Sequence, residues 1–214
     1  MLYAFLVATI LITLAELGDK TQLLALVLAC RYPPLKVLLG IFSATIVIHL
    51  LSTIVGAAIG SLIPGNVMTW IAGLLFIGFG AWTLRGDSVD ENEARPPDRF
   101  GPVVTSAIAF FLAEIGDKTQ IMTMTVAANP GAALRTFGGF AAGWLPSAAT
   151  HSGQTAVLIG VWLGSTVGMV LADGVAILVG AVLGKSLPEK LITRISGILF
   201  VLFGVGMILA MYLR

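Results

Sequence analysis

Long apolar runs recur along the 214-residue chain, and only short polar segments separate them. A helix needs about 20 apolar residues to cross the hydrocarbon core of a bilayer. We therefore predict six membrane spans, at residues 3–29, 37–60, 67–84, 103–127, 157–184 and 191–213. This pattern predicts an all-α polytopic membrane protein with six transmembrane helices.

The composition supports a membrane protein and argues against several other classes. Hydrophobic residues make up 57% of the chain and charged residues 11%, against about 25% charged in a soluble domain. A net charge of +1 without a basic stripe argues against a nucleic-acid partner. The single cysteine, Cys30, excludes an internal disulfide. Because Glu16 interrupts the N-terminal run and no basic residue precedes it, we predict a first span there rather than a signal peptide.

The chain contains an internal repeat. LAELGDKTQL at residues 14–23 recurs as LAEIGDKTQI at residues 112–121, an offset of 98. VLLG at 37–40 then matches VWLG at 161–164, an offset of 124, so the second half carries an insertion. We predict a three-helix repeat at 1–84, a polar cytoplasmic linker at 85–102, and a second three-helix repeat at 103–214 with the insertion near 129–155. The insertion fits an interfacial helix, a re-entrant segment, a loop or an irregular extra span.

Basic residues set the predicted topology. They concentrate in the first, third and fifth connections, which the positive-inside rule places in the cytoplasm. These residues are Arg31, Lys36, Arg85, Arg95, Arg99, Lys185, Lys190 and Arg194. Both termini are then outside. Because each repeat has an odd number of spans, the second repeat enters the membrane from the opposite side, an inverted-topology arrangement common among secondary transporters.

Both copies of the repeated motif place charges near the centre of a predicted span, where one charge costs about 3 kcal/mol or more. Each copy supplies two acids and one lysine, at Glu16, Asp19 and Lys20 and at Glu114, Asp117 and Lys118. On a continuous helix the lysine pairs with the glutamate four residues earlier. Two acids against one base leave a negative surplus in each copy, which a divalent cation would balance. The competing interpretation is a buried salt-bridge network that holds the helices together.

Neutral oxygen ligands accompany these acids. The motif hydroxyls and amides are those of Thr21, Gln22, Thr119 and Gln120. Together with carboxylates they suit hard cations such as Ca²⁺, Mn²⁺ or Mg²⁺. Gly18 and Gly116 remove side chains beside the acids, which lets two helices approach closely or lets one helix break. We predict that the two copies meet around the in-plane axis that relates inverted repeats.

The second register of the repeat aligns His49 with Asp173, each near the middle of a predicted span. A lone histidine in a membrane span is most often a hydrogen-bonded packing residue. Its alignment with an intramembrane acid favours a role in the site, with Asp173 as a further ligand and His49 as a proton carrier or nitrogen ligand. A nitrogen ligand would tilt selectivity weakly from Ca²⁺ toward Mn²⁺.

The doubled motif E-x-G-D-[KR]-[ST], in a small six-span chain with a polar central loop, resembles the Golgi calcium/manganese–proton exchanger family, whose bacterial relatives export manganese. The resemblance covers essentially the whole chain. It implies that Glu16, Asp19, Glu114 and Asp117 bind the transported ion, and Thr21 and Thr119 match the last motif position. It also implies a location in a bacterial inner (plasma) membrane. The insertion near 129–155 departs from the compact connection expected between spans four and five.

The sequence thus predicts a divalent cation/proton antiporter that exports Mn²⁺, with Ca²⁺ as the next choice, and not an enzyme. Its partners would be the metal ion, protons and the lipid bilayer, with no permanently bound cofactor. The oligomeric state stays open, and a homo-oligomer is one option. Two alternatives come from other classes: an intramembrane enzyme acting on a lipid phosphate, and a passive cation channel.

Overall fold

The computed structural model describes residues 1–85, 100–140, 153–183 and 189–212, and these residues form helices and short connections without strands. The helices are α1 (Leu2–Glu16), α2 (Lys20–Arg31), α3 (Pro34–Leu62), α4 (Gly65–Arg85), α5 (Pro102–Glu114), α6 (Lys118–Ala128), α7 (Pro130–Phe140), α8 (Gln154–Leu183) and α9 (Glu189–Leu209). Prolines occupy the first turns of α3 and α5. Their fixed φ fits a helix start, where the missing N–H has no intrahelical partner to lose.

Three of the described helices are long and apolar enough to cross a membrane: Pro34–Leu62, Gly65–Arg85 and Gln154–Val179. A fourth candidate is the pair α1 and α2, whose axes differ in direction by 79°. The segments Pro102–Glu114 and Arg194–Leu209 are apolar but shorter. The prediction of an all-helical membrane protein is confirmed, whereas the arrangement of six spans stays a prediction.

Of the two outcomes that the sequence left open at the motif glycines, a close helix contact or a helix break, the structure shows the break. Residues 3–29 form α1 and α2 rather than one helix, and residues 103–127 form α5 and α6. Each break falls on the three residues between the motif glutamate and the motif lysine. The physical reason is the motif glycine, which adopts a positive φ that a regular helix does not accommodate.

The helices of the two halves pack against each other in a crossed pattern. The first half's α3 packs on α5 and α6, and the second half's α8 packs on α1 and α2. Equivalent residues make equivalent contacts: a Cβ on Gly40 would lie 2.6 Å from the Cβ of Ser106, and one on Gly164 would lie 3.0 Å from the Cβ of Ala8. The sequence offsets relate Gly40 to Gly164 and Ala8 to Ser106. Glycine at these positions allows the helix backbones to touch.

The third helices of the two halves pack together in the same reciprocal way. A Cβ on Gly73 would lie 3.0 Å from the carbonyl oxygen of Gly204, and one on Gly80 would lie 2.6 Å from that of Gly197. The repeat relates Gly73 to Gly197 and Gly80 to Gly204. The contact between α4 and α9 is therefore approximately self-complementary, as expected where a two-fold axis passes between two related elements.

Most of the polar linker and part of the insertion fall outside the described residues. In the linker, residues 86–99 are not described, and in the insertion residues 141–152 are not. The insertion begins with α7, which contacts α1 through a hydrogen bond of 2.9 Å from the Tyr3 hydroxyl to the carbonyl oxygen of Leu134. The first part of the insertion is thus helical, at Pro130–Phe140.

Candidate cation site at the two helix breaks

The two breaks have the same backbone geometry. Gly18 has φ 80° and Gly116 has φ 81°, a left-handed conformation that costs a residue with a Cβ about 1–2 kcal/mol. The N–H of Asp19 donates to the carbonyl of Glu16 at 3.0 Å, and the N–H of Asp117 donates to that of Glu114 at 3.1 Å. In each motif a tight turn thus joins the glutamate that ends one helix to the aspartate that precedes the next.

The motif glutamines complete these turns. Gln22 Oε1 accepts a hydrogen bond of 2.9 Å from the N–H of Gly18, and Gln120 Oε1 accepts one of 2.7 Å from the N–H of Gly116. A helix break frees backbone N–H groups, which in apolar surroundings need a partner inside the protein. The two glutamines, which the sequence predicts as cation ligands, therefore support the turns in this structure.

The motif threonines hold the glutamates. The Thr119 hydroxyl donates to Glu114 Oε2 at 2.8 Å, and the Thr21 hydroxyl donates to Glu16 Oε1. Both glutamates are completely buried. Each break therefore presents one buried carboxylate whose orientation is fixed by a hydroxyl from the following helix.

The breaks also direct helix dipoles at the acids. Asp19 and Asp117 occupy the N-cap positions of α2 and α6, although neither side chain makes a capping hydrogen bond. The N-terminus of a helix carries about half a positive charge, which stabilises a nearby carboxylate. Discontinuous helices in transporters place helix ends at ion sites in the same manner.

The structure brings five carboxylates near one another, of which four are buried and the fifth, Asp117, is half-buried. Glu16 interacts electrostatically with Glu114, Asp19 and Asp117. Glu114 interacts with Asp117, Asp19 and Asp173, and Asp173 interacts in turn with Glu16 and Asp19. These residues come from both motifs and from the middle of α8, and we call the five together the carboxylate cluster.

Lys118 joins the two motifs. Its Nζ donates to Asp19 Oδ1 at 2.6 Å, and only 6% of the Lys118 residue is exposed. On a continuous helix the sequence also allowed Lys118 to pair with Glu114 within one motif. The i, i+4 geometry that this pairing requires is lost because the helix breaks between the two residues. The ion pair instead crosses from the second motif to the first.

Asp173 and His49, which the repeat aligns, have different surroundings. The Asp173 carboxylate belongs to the carboxylate cluster, and neither of its buried oxygens has a hydrogen-bond partner within the described residues. Gln22 Nε2 donates to the carbonyl of Ala172 at 2.9 Å, which fixes α8 against the first motif.

His49 Nδ1 instead lies 3.1 Å from the Thr123 hydroxyl, which lies 3.2 Å from that of Ser165. Among the described residues, the structure shows no electrostatic contact between His49 and the cluster. Sequence reasoning missed Thr123 and Ser165. Thr123 could have been found because it follows Thr119 by one helical turn on α6.

The side chains of the carboxylate cluster do not form a complete metal-binding site. In the part of the chain that the structure describes, no three His, Cys, Asp or Glu side chains converge closely enough to ligate one ion. Binding a cation here would require the carboxylates to rotate or the hydroxyl and backbone oxygens to contribute.

Comparison with known proteins places the chain in a family. The family described as "Divalent cation/proton antiporter GDT1" matches residues 4–91, 102–151 and 147–214. A Vibrio cholerae protein named "Putative manganese exporter" is 34% identical over 196 residues, which cover 91% of this chain and 85% of that protein. A GDT1-like protein of Synechocystis sp. is 30% identical, with 96% of each chain covered. GDT1-like protein 5 of Arabidopsis thaliana is 29% identical, with 92% of this chain and 91% of that protein covered.

No solved structure matches the chain. The family model nevertheless covers almost the entire sequence, including both motifs at the helix breaks. It confirms the resemblance found in the doubled motif, and it identifies a transporter rather than an enzyme. The chain belongs to the GDT1 family of divalent cation/proton antiporters.

Proposed function

We propose that this chain exchanges a divalent metal cation for protons across a bacterial inner membrane and exports the metal, with Mn²⁺ as the favoured ion and Ca²⁺ next. The observation that carries the proposal is the carboxylate cluster. The two helix breaks bring the buried Glu16, Asp19 and Glu114 and the half-buried Asp117 within electrostatic reach of one another and of the buried Asp173. Membership of an antiporter family supports cation transport, and the name of the Vibrio cholerae relative supports manganese and export.

The available ligands are oxygens. Carboxylates, together with the hydroxyls of Thr21 and Thr119, suit hard divalent cations. Gln22 and Gln120 would contribute only if their amide oxygens also contacted the ion while supporting the turns. His49 Nδ1 contacts Thr123, and the buried Nε2 has no hydrogen-bond partner within the described residues, so the histidine makes no contact with the cluster that would favour Mn²⁺ over Ca²⁺. The preference for Mn²⁺ therefore rests on the relative.

Exchange follows from competition for the same oxygens. Neighbouring carboxylates in a dehydrated region resist being ionised together, so some retain protons when no metal is bound. A bound divalent cation favours the ionised form and releases those protons. If the site changes its accessible side only when it is loaded with metal or fully protonated, this competition couples the two fluxes.

The proposed architecture counts the pairs α1–α2 and α5–α6 as one membrane crossing each, which gives six crossings in two inverted repeats at 1–84 and 103–214. The reciprocal contacts between the halves support it, because equivalent residues meet on both sides of an approximate two-fold axis. The basic residues of the odd connections support external termini. The linker at 85–102 would then be cytoplasmic.

The test is transport by the purified protein in liposomes with an imposed pH gradient. Uptake of Mn²⁺, Ca²⁺ and Mg²⁺ is compared in vesicles with an acidic lumen and in vesicles without a gradient. We expect the gradient to accelerate Mn²⁺ uptake most, with protons moving in the opposite direction. Metal flux that ignores the pH gradient would contradict exchange and indicate a channel.

Two variants test the site itself. Glu16→Gln and Glu114→Gln keep the size of the side chain and its contact with threonine, but remove the charge that balances the cation. We expect each to abolish exchange while the protein remains folded by gel filtration. Glu91→Gln, in the polar linker and distant in sequence from both motifs, is the matched control. Flux at the unmodified level in both motif variants would contradict the assignment.

A further inference from the structure

The two motif lysines, which the repeat relates, occupy different positions. Lys118 is buried and its Nζ lies 2.6 Å from Asp19 Oδ1. The equivalent pair would join Lys20 to Asp117, but Lys20 is partly exposed, and the structure shows no such pair within the residues it describes. The backbone of the two breaks is otherwise equivalent, so the symmetry is lost at the lysines.

The two turns, like the two lysines, differ in how exposed they are. Ile115 in the second turn is 55% exposed and Gly116 beside it is also exposed, whereas Leu17 and Gly18 in the first turn are partly buried. A Cβ placed on Gly116 would find no atom within 4 Å. The second turn is thus open on one side in this conformation, and the first turn is more enclosed.

We propose that Lys118 and Lys20 are positioning residues that pair in alternation with the aspartate of the opposite motif. In the conformation seen here Lys118 holds Asp19 and the turn at 115–117 is open. In the opposite conformation Lys20 holds Asp117, the turn at 17–19 opens and the turn at 115–117 closes. The inference rests on the proposed function, because exchange of access in two inverted repeats interconverts two arrangements, and the alternating pairs would stabilise one arrangement each.

The charges explain why the pairs would alternate. A buried ammonium is costly without a carboxylate partner, so Lys118 holds the two motifs together in one arrangement. Because the two motifs have the same sequence, Lys20 can pair with Asp117 in the same way when Lys20 becomes buried. Each lysine also competes with a cation for an aspartate of the cluster. Loading the site with metal would therefore release one pair and allow the other arrangement.

Side-specific labelling of the two turns tests this alternation. Cys30 is exposed and is first replaced by Ser. In that background, Ile115→Cys and Leu17→Cys report on the open and the enclosed turn. Each is labelled with a water-soluble maleimide in purified protein reconstituted in liposomes, and the reaction rates are compared without metal and with Mn²⁺.

Opposite shifts are expected from the two lysine variants. Lys118→Met removes the pair seen here, so labelling of Ile115→Cys should fall and labelling of Leu17→Cys should rise, each by roughly threefold or more. Lys20→Met should lower the labelling of Leu17→Cys and leave that of Ile115→Cys equal or higher. Lys118→Arg retains the charge and should restore the unmodified pattern. Lys36→Met, at an exposed position on α3, is the matched control.

Three outcomes overturn the proposal. Both lysine variants could shift the two cysteines in the same direction, Lys118→Met could act no differently from Lys36→Met, or Lys20→Met could leave the labelling of Leu17→Cys unchanged. The Lys20→Met result stands by itself if Lys118→Met does not fold. Labelling does not depend on metal flux. Reciprocal labelling shifts in a protein that shows no metal/proton exchange would therefore contradict the proposed function but not the alternation of the pairs.

Discussion

The Thr119 hydroxyl donates a hydrogen bond of 2.8 Å to Glu114 Oε2, and both side chains are completely buried where α5 ends and α6 begins. Thr21 makes the same contact with Glu16 in the other half. A break in the helix separates donor from acceptor in each case. The hydroxyl therefore fixes a carboxylate relative to the next helix, and a movement of that helix would reorient the carboxylate.

Removing this hydroxyl should weaken cation binding. Thr119→Val keeps the shape of the side chain but leaves Glu114 without its donor, and a hydrogen bond to a charged group is worth about 1.5–3 kcal/mol. We expect the KM for the metal to rise roughly tenfold or more, with a smaller change in kcat. Thr119→Ser should retain most of the affinity. Thr125→Val removes a buried hydroxyl that bonds only to its own helix and is the control; equal effects in both valine variants would contradict the assignment.

The left-handed glycine of the second turn gives a prediction about stability. Gly116→Ala has space for the added methyl group, but φ is 81°. The strain should lower the free energy of unfolding by about 1–2 kcal/mol. In detergent the apparent Tm should fall by about 2–4 °C for each kcal/mol. Gly101→Ala also meets open space, but its φ is −61°, and it should change Tm little. A Tm for Gly116→Ala equal to that of Gly101→Ala would show that the turn is not strained.

Much of the site could be predicted because its chemistry is local in sequence. The sequence alone shows that Glu16 and Glu114 lie in the middle of apolar runs and that they belong to a repeated motif. The glycine near each acid is compatible with a helix break and with a close helix contact. The average hydrophobicity of a span is the same in both cases, so it cannot tell which of the two occurs. The break depends on partners such as Gln22, whose amide satisfies the freed N–H.

The contacts that cross between the halves could not be predicted in this way. The pair of Lys118 with Asp19 joins residues 99 positions apart, and the contact of His49 with Thr123 joins residues 74 apart. A repeat in the sequence relates equivalent residues, but it does not state which helix of one half packs on which helix of the other. That choice depends on the fit of small residues such as Gly40 against the facing helix.

One such contact makes a sharper prediction about packing. A Cβ on Gly60 would collide with the carbonyl oxygen of Ala128, so Gly60→Ala must separate α3 from α6. We expect a loss of about 1–3 kcal/mol in stability, as for overpacking in a well-packed core. Gly78→Ala, in a helix where the new methyl group meets no atom within 4 Å, is the control. Thermal unfolding in detergent measures both variants, and equal Tm values would mean that the helices are farther apart than described.

The different surroundings of Asp173 and His49 lead to opposite expectations for two aligned residues. Asp173→Asn removes a charge from the carboxylate cluster, so the KM for the metal should rise by roughly tenfold, the factor that corresponds to about 1.4 kcal/mol. His49→Asn keeps a polar group near Thr123 without changing the cluster, so its KM should change little. Both KM values are measured from the rate of metal uptake at varied metal concentration, in liposomes with a fixed pH gradient. A large rise for His49→Asn with none for Asp173→Asn would contradict this assignment and would favour His49 on α3 over Asp173 on α8 as the ligand.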